Sequence, residues 1–306
     1  MLSNLDGTSQ IFLANVNRIQ QKFADANRQI SSGLKISQAS DAPDQISPLL
    51  QLKADQAHNQ QIESNLTLAQ SDAQTADSTL SAAIQLLDRA VTLGTEGATS
   101  TLSDTARQSL AQEVQSIQQE MVTYSQTTVQ GRFLFSGDQD MQPTYAYDPN
   151  APDGVDQLQT VTATKQVEDP AGGSFSAGET AQDIFDARNP DGTPAAGNVF
   201  AALSGLVAAL QSNDPQSITQ AVGAVQTASE HLNSADAFYG TVENRVQAAQ
   251  TFATRYDTQL QTDIGQKQDA DVAAEAMEMT QAQTQLQAAF EMQAQMPRDT
   301  LFKYLG

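Results

Sequence analysis

Residues 65–94, NLTLAQSDAQTADSTLSAAIQLLDRAVTLG, carry the strongest structural signal in the chain, because apolar residues recur in them every three or four positions. That spacing gathers the apolar side chains on one stripe of an α-helix. The full stripe consists of Ile62, Leu66, Ala69, Ala73, Ala76, Leu80, Ala83, Leu87 and Ala90. A helix this long far exceeds the globular average of about 11–12 residues, so the stretch predicts a coiled coil or a long bundle.

The segments on the N-terminal side of this stretch are also predicted to be helical. The first segment carries a stripe made of Phe12, Val16, Ile19, Phe23, Ala26 and Ile30. Gly33 ends that run, since glycine interrupts a helical pattern. The long helix is then expected to begin near Ser47, with Pro48 at its first position, and to end near Gly94. Proline is tolerated at a first helical position because the N–H that it lacks would have no partner there.

Four further helices are predicted on the C-terminal side. One begins at Ser103 or Asp104, both of which are good N-caps. Helical spacing returns at Val199 and starts again at the cap-plus-proline pair formed by residues 214–215. The last helix covers approximately residues 271–295. Short connections between long helices favour antiparallel neighbours in a bundle.

Residues 131–197 differ from the rest of the chain, because they are rich in Gly, Pro and Asp. Alternation of polar and apolar residues appears in residues 132–135 and again in residues 157–167, where β-branched side chains are common. These features predict short strands and turns. The chain therefore reads as helices, a small β-rich insert, and helices again.

The predicted fold class is mainly α, with a long antiparallel coiled coil or bundle made from both chain ends. An isolated helix with an apolar stripe is marginal in water, so the two terminal helices are expected to pair. Residues 1–40 and 266–306 would form terminal assembly helices that are disordered before assembly. Residues 41–130 and 198–265 would form a helical rod domain, and residues 131–197 an inserted β-rich domain.

The charge of the chain excludes several functions. Its 36 acidic and 15 basic residues give a net charge of −21, and Lys and Arg form no cluster. A nucleic-acid interface needs basic residues against phosphates, and an anionic membrane would repel this chain. The sequence has no Cys, which excludes disulfides and zinc–thiolate sites. Its first ten residues lack the pattern of a secretory signal, so export without a cleaved signal peptide is the alternative to a cytoplasmic location.

No catalytic, cofactor or metal site is predicted, and an enzyme is not expected. His58 and His231 are the two histidines, and both fall on predicted helices without an HExxH pair, so solvated helix faces are the simplest interpretation. Asp269 and Asp271 could be taken for a carboxylate pair. Two carboxylates act as acid and base only in separate environments within one pocket. A predicted helix start, which favours negative charge, explains these two better.

Three stretches resemble the bacterial flagellin family. Residues 30–44, ISSGLKISQASDAPD, are similar to that family's N-terminal signature, in which a Ser-Gly-Leu turn precedes an Asp-rich segment. Residues 65–94 resemble the long first helix of its coiled-coil domain. Residues 268–293, QDADVAAEAMEMTQAQTQLQAAFEMQ, resemble its terminal helix. Matches at both ends, in order and around a variable middle, are more specific than either end alone.

Other stretches resemble the branch of the family that joins the flagellar hook to the filament. Residues 131–138, GRFLFSGD, are followed by residues 143–147, PTYAY, where a filament subunit would have an Asn-Gly-x-x-Leu-Leu motif. Residues 179–185, 198–206 and 300–305 agree with that branch. The filament subunit itself, flagellin, is the first alternative, and a soluble coiled-coil scaffold is the second.

The resemblance implies a structural role outside the cell, on the bacterial flagellum, and no cofactor. Such a chain would be exported unfolded through the flagellar type III secretion channel with the help of a cytoplasmic chaperone. It would then form a ring with copies of itself, between the other hook-associated junction protein and the first flagellin subunits. Neither nucleic acid nor a membrane is an expected partner.

The candidate site is a self-assembly interface on the terminal stripes, because the Gln-rich termini cannot bury both stripes within one subunit. Its suspected residues are Phe12, Val16, Ile19, Phe23, Ile30, Leu34, Ile36, Met279, Leu286, Phe290, Leu301, Phe302 and Leu305.

Overall fold

The structure, a computed structural model, describes residues 7–161 and 163–295. Within these residues the helices are α1 (Gly7–Ser32), α2 (Pro43–Gly97), α3 (Asp104–Ser125), α4 (Ala181–Phe185), α5 (Val199–Ser212), α6 (Pro215–Gln268) and α7 (Val272–Gln295). The strands are β1 (Thr128–Val129), β2 (Arg132–Phe133), β3 (Tyr145–Tyr147), β4 (Val155–Gln157), β5 (Gln166–Glu168) and β6 (Ser174–Ser176). All of these strands lie between α3 and α4, so the predicted order of helices, β-rich insert and helices is confirmed.

The chain divides into two compact units by its internal contacts. Unit 1 consists of Met1–His58 and Tyr256–Gly306, and unit 2 is Asn59–Arg255. The boundary falls within α2 and within α6, so each unit contains a part of both long helices. The insert at residues 131–197 belongs to unit 2, and the three-part division drawn from the sequence stays a prediction.

The core of unit 2 is built on the apolar stripe of α2. Every residue predicted for that stripe is buried, with at most 5% of its surface exposed. Across from it α6 contributes Ile218, Val222, Val225, Leu232, Tyr239, Val242, Val246 and Ala249. Small residues bring the two helices close together: a Cβ added at Gly94 would overlap Cγ2 of Val222. The periodicity therefore predicted both the helix and the face that it buries.

Local capping explains where α2 ends and α3 begins. Ser103 is the N-cap of α3, as predicted, and its hydroxyl accepts a hydrogen bond from the N–H of Ala106 at 3.3 Å. The buried guanidinium of Arg107 donates to the carbonyls of Gly97 and Thr99 at 2.8 and 2.9 Å. The Gly97 carbonyl is one of the last in α2, which have no partner inside the helix, and a cation at this position also complements the helix dipole.

The predicted boundaries of the long helix were wrong at both ends. Helix α2 begins at Pro43 rather than near Ser47, and it ends at Gly97 rather than Gly94. Pro43 takes the position at the helix start that was assigned to Pro48, which lies inside the helix. The missing N–H of Pro48 leaves only the carbonyl of Asp44 without its helical donor, and both residues are exposed to water.

Three antiparallel hairpins and one short helix follow α3, and the first hairpin begins just before the insert, at Thr128. The hairpins pair Thr128 with Phe133, Tyr145 with Gln157, and Val167 with Phe175. The alternation across residues 157–167 gives short strands only at its two ends, since β4 ends at Gln157 and β5 begins at Gln166. Helix α4 was not predicted. A capping box between Thr180 and Asp183 starts it, and its residues Ile184 and Phe185 are fully buried.

A buried carboxylate ties the end of the insert to α5. Asp186 is fully buried and accepts hydrogen bonds from the Tyr145 hydroxyl at 2.9 Å, from Nε of Arg188 at 2.8 Å and from Nδ2 of Asn198 at 2.7 Å. Asn198 is also the N-cap of α5. Arg188 binds a second carboxylate, that of Asp153, at 2.9 Å. Burial, and then the negative charge of Asp186, raise the pKa of the Tyr145 phenol, so it remains a donor.

Candidate functional site

The two terminal helices, α1 and α7, pair in antiparallel orientation within unit 1. Lys22 on α1 forms an ion pair with Glu278 on α7 at 2.9 Å, and Ile19 lies beside Ala282 one turn away. The pair buries few side chains: Val16 and Ala26 of α1 and Ala282 of α7. Two helices that bury so little against each other are marginal in water, and much of their apolar surface stays exposed.

The helical conformation ends after α1 at Ser32 and is interrupted between α6 and α7, after Gln268. Backbone hydrogen bonds join these two non-helical segments. Gly33 follows α1 with a φ of +69°, which favours glycine. The N–H of Lys35 donates to the carbonyl of Gln268 at 2.7 Å, and the N–H of Ala270 donates to the carbonyl of Gly33 at 3.0 Å. The side-chain amide of Gln268 also donates to the carbonyl of Ile36 at 3.2 Å. These bonds align α1 with α7.

Two aspartates stabilise the turns beside the breaks. Asp271 caps α7, with its Oδ1 accepting the N–H of Ala273 at 3.1 Å. Asp41 accepts the N–H groups of Gln38 at 2.8 Å and Ser37 at 2.9 Å, which lower the pKa of its carboxyl group. The sequence predicted a helix start near residue 271, and Asp271 provides its cap.

A shallow apolar groove runs between α1 and α7. It has a volume of about 220 Å³ and is lined by Ile19, Gln20, Phe23, Ala282, Gln283 and Leu286. Three of these, Ile19, Phe23 and Leu286, belong to the suspected interface, and the structure brings them together. No charged side chain lines the groove, so an apolar side chain or helix face can enter it without losing the hydration of a charge.

The remaining suspected residues are placed differently. Val16 and Ile36 are buried and pack inside unit 1. Phe12, Ile30, Leu34 and Met279 are half-buried, whereas Phe290 is 51% exposed. Leu301, Phe302 and Leu305 lie outside the described residues, so their part in the site stays a prediction.

Sequence reasoning missed several exposed apolar residues on the same helices. Ile11 on α1 and Met277 and Met292 on α7 are 65%, 68% and 67% exposed. They fall outside the main stripe of each helix, so the search for one continuous stripe passed over them. A count of apolar residues around the whole helix would have found these second faces.

The described residues contain no arrangement that suggests catalysis or metal binding. Among them no three His, Cys, Asp or Glu side chains converge as metal ligands. His231 was expected on a solvated face but is half-buried, with Nε2 2.7 Å from the carbonyl oxygen of Asp183 in α4. In the part of the chain that the structure describes, no helix is long and apolar enough to cross a membrane.

The two ends of the chain match one protein family. Residues 4–140 match the N-terminal helical region of bacterial flagellin, and residues 222–305 match its C-terminal helical region. The paired termini are thus the two helical regions of a flagellin-type protein, and the chain belongs to the bacterial flagellin family. The sequence resemblance at both ends is confirmed.

Within that family the relatives carry one recurrent name. The chain is 28% identical over 208 residues to flagellar hook-associated protein 3 of Escherichia coli, in an alignment that covers 64% of this chain and 62% of that protein. It therefore spans less than two thirds of that relative's length.

The solved structures that it resembles share the fold. The structure of hook-associated protein 3 from Legionella pneumophila superposes with a TM-score of 0.60 at 12% identity, covering 71% of this chain and 98% of that one. The protein FlgL of Bacillus cereus gives a TM-score of 0.55 at 16% identity, covering 70% and 98%. At such identities the likeness shows the fold alone.

Proposed function

We propose that this chain is a structural protein of the bacterial flagellum that forms the junction between the hook and the filament. The observation that carries the proposal is the combination of both flagellin helical regions with the match to hook-associated protein 3. The solved structure of a protein with that name, from Legionella pneumophila, has the same fold. The segment GRFLFSGD at residues 131–138 favours this role over that of the filament subunit.

In this proposal the terminal helix pair, α1 and α7, provides the surface through which copies of the chain assemble. Copies of the chain form a ring through the face that contains the groove between Ile19, Phe23 and Leu286. Fully burying an apolar side chain of this size contributes about 1.5–3 kcal/mol, so a few such residues per contact provide a substantial driving force. Because each copy offers the same face, the contribution repeats around the ring.

The same proposal specifies how the chain is exported, where it acts and which proteins it contacts. It is exported unfolded through the flagellar secretion channel, without a cleaved signal peptide and with a cytoplasmic chaperone, and it acts outside the cell. Its neighbours are copies of itself, the other hook-associated junction protein and flagellin. The net charge of −21 disfavours nucleic acid and anionic membranes as partners. The chain has no enzymatic role.

A charge placed in the groove tests this assignment. Leu286→Asp would bury a carboxylate when copies meet, and an unpaired buried charge is costly. In a strain that lacks its own copy, the variant is expected to leave hooks without filaments. The matched control, Leu158→Asp, changes a half-exposed leucine of the insert and is expected to support normal filaments. Filaments of normal number with Leu286→Asp would refute a role of the groove in assembly.

Removal of the first stripe provides a second test. A chain without residues 1–30 is expected to remain soluble, because unit 2 begins at Asn59 and has its own core. It is also expected to be absent from flagella. Normal incorporation of the truncated chain would show that α1 is not part of the assembly interface.

A further inference from the structure

A buried asparagine lies in the apolar seam between α2 and α6 of unit 2. The apolar stripe of α2 recurs every three or four positions, and its next position before Ile62 is Asn59. Asn59 is only 2% exposed, although its side chain is an amide. Asp72 and Thr79 are also buried on α2. Asp72 pairs with Lys165 of the insert, and Thr79 bonds to a carbonyl of its own helix, whereas Asn59 meets α6.

The amide of Asn59 makes one specific contact across this seam. Its Nδ2 donates to the backbone carbonyl of Ala253 in α6 at 2.9 Å, although the two residues are 194 positions apart. Its Oδ1 is buried and has no hydrogen-bond partner in the part of the chain that the structure describes. Because one polar group of the amide stays unpaired, an apolar side chain at this position would stabilise the seam more than asparagine does.

Ala253 is a small residue between two large ones in the corresponding row of α6. The positions seven residues before and after it are Val246 and Leu260, and all three residues are buried. The alanine leaves the backbone carbonyl within reach of the amide, and a branched side chain in its place would fill that space. A slide of one heptad in either direction would therefore bury the whole Asn59 amide without a partner. Such an alignment would be disfavoured by about five- to 150-fold.

Neighbouring layers of the seam discriminate less between alignments. Alanine recurs at every seventh position of α2, at residues 69, 76, 83 and 90, and each of these alanines is buried. After a slide of one heptad an alanine takes the place of an alanine, so these layers select the alignment weakly. A single buried asparagine in a heptad seam fixes the register of coiled coils and lowers their stability.

We propose that Asn59 selects the alignment of α2 with α6 while unit 2 folds, and that it lowers the stability of unit 2 by doing so. The selection acts before α3, α5 and the insert have packed against the two long helices, because those elements hold the alignment afterwards. This property belongs to unit 2 and does not depend on the function proposed above.

Cysteine pairs can report the alignment, because the chain has no cysteine of its own. Asp77 of α2 hydrogen-bonds Asp236 of α6 across the seam. Two heptads further along each of the two antiparallel helices are Glu63 and Gln250, both half-buried. A chain with Glu63→Cys and Gln250→Cys is therefore expected to crosslink in the native alignment.

Two further cysteine pairs report the slipped alignments. Glu63→Cys with Glu243→Cys would crosslink after a slide in one direction, and Gln70→Cys with Gln250→Cys after a slide in the other. Each full-length chain is unfolded in urea, diluted to start refolding and oxidised at successive times. With Asn59 in place, the native pair is expected to dominate at every time.

Replacement of Asn59 is expected to change both the alignment and the stability. Asn59→Leu should raise the urea midpoint of unit 2 and increase the slipped crosslinks at least about fivefold. Asn59→Ala removes the amide without adding volume, so it should increase the slipped crosslinks even if leucine disturbs the packing. The matched control is Asn65→Leu, the same change at an exposed position of α2, which should leave both measurements unchanged.

The inference is overturned if Asn59→Leu and Asn59→Ala both refold with no more slipped crosslinks than the unmodified chain. It is also overturned if Asn65→Leu increases those crosslinks equally, since any added apolar residue would then suffice. A urea midpoint that Asn59→Leu fails to raise would contradict the claim that the asparagine lowers stability. Absence of the chain from flagella would bear on the proposed function alone.

Discussion

Asp186 holds together three parts of unit 2, and its replacement should therefore be unusually costly. In Asp186→Ala the Tyr145 hydroxyl, Nε of Arg188 and Nδ2 of Asn198 lose an acceptor at distances of 2.7–2.9 Å. Tyr145 and Asn198 are almost completely buried, so water cannot replace the carboxylate without rearrangement. Removing one partner from a buried, charged cluster typically costs about 3–5 kcal/mol.

That cost would be visible in the unfolding of unit 2. Whole domains are stable by only about 5–15 kcal/mol, so the substitution would remove a large fraction of the unfolding free energy of unit 2. For a domain of this size, each kcal/mol lowers the melting temperature by about 2–4 °C. We expect a fall of about 6–20 °C, measured by urea and thermal unfolding with circular dichroism. Asp186→Asn retains one oxygen acceptor and the shape of the side chain. Its melting temperature should therefore lie between those of the unmodified chain and Asp186→Ala.

The matched control is Asp191→Ala in the same loop. Asp191 is exposed, where its carboxylate accepts hydrogen bonds from Thr193. Its loss should cost a small fraction of the effect at Asp186, because water replaces the acceptor. Equal effects of the two substitutions would refute the argument that burial of the Asp186 cluster determines the cost.

Three further predictions address packing and titration. Gly94→Ala should destabilise unit 2 by about 1–3 kcal/mol in urea unfolding, because the new Cβ overlaps Val222, whereas Gly205→Ala on α5 meets no atom and should stabilise by about 0.5–1 kcal/mol. A stabilising Gly94→Ala would contradict the close approach of α2 and α6. Burial and the neighbouring Asp77 raise the pKa of Asp236 in the folded chain, so its contribution favours folding at acid pH and is lost as the pH rises through that pKa. Asp236→Asn, which resembles the protonated acid, should therefore raise the unfolding free energy at pH 7 and not near pH 3, and an increase of the same size at both pH values would refute this cause. Arg107→Met, which removes a buried donor to the carbonyls of Gly97 and Thr99 at and just beyond the end of α2, should destabilise by about 1–3 kcal/mol, and an unchanged urea midpoint would show that these carbonyls need no donor.

The helices could be predicted because their sequence signals are local and repeated. The stripe from Ile62 to Ala90 recurs over eight turns, and every one of its residues is buried. The residue types at Ser103 and at residues 214–215 predict helix starts. The structure confirms both, because the side chains of Ser103 and Asp214 accept hydrogen bonds from backbone N–H groups.

The insert was less predictable, since its strands are only two or three residues long, which is too short for an alternation of polar and apolar residues to mark them. The cluster around Asp186 joins residues separated by up to 41 positions, and nothing in the local sequence marks it. The same holds for the groove, which needs α1 and α7 side by side: the sequence predicted Ile19, Phe23 and Leu286 as interface residues but not that they would line one surface. The sequence analysis did not predict that Ile11 and Met277 are exposed apolar residues, because the periodicity of one stripe hides a second, weaker face.

The central claim is that this flagellin-family chain stands at the boundary between hook and filament. Immunogold labelling of isolated flagella, with antibody against this chain, tests that claim most directly. A single narrow band of gold is expected where the hook meets the filament. Label along the entire filament would make the chain a filament subunit, and flagella without label would contradict a flagellar role for it.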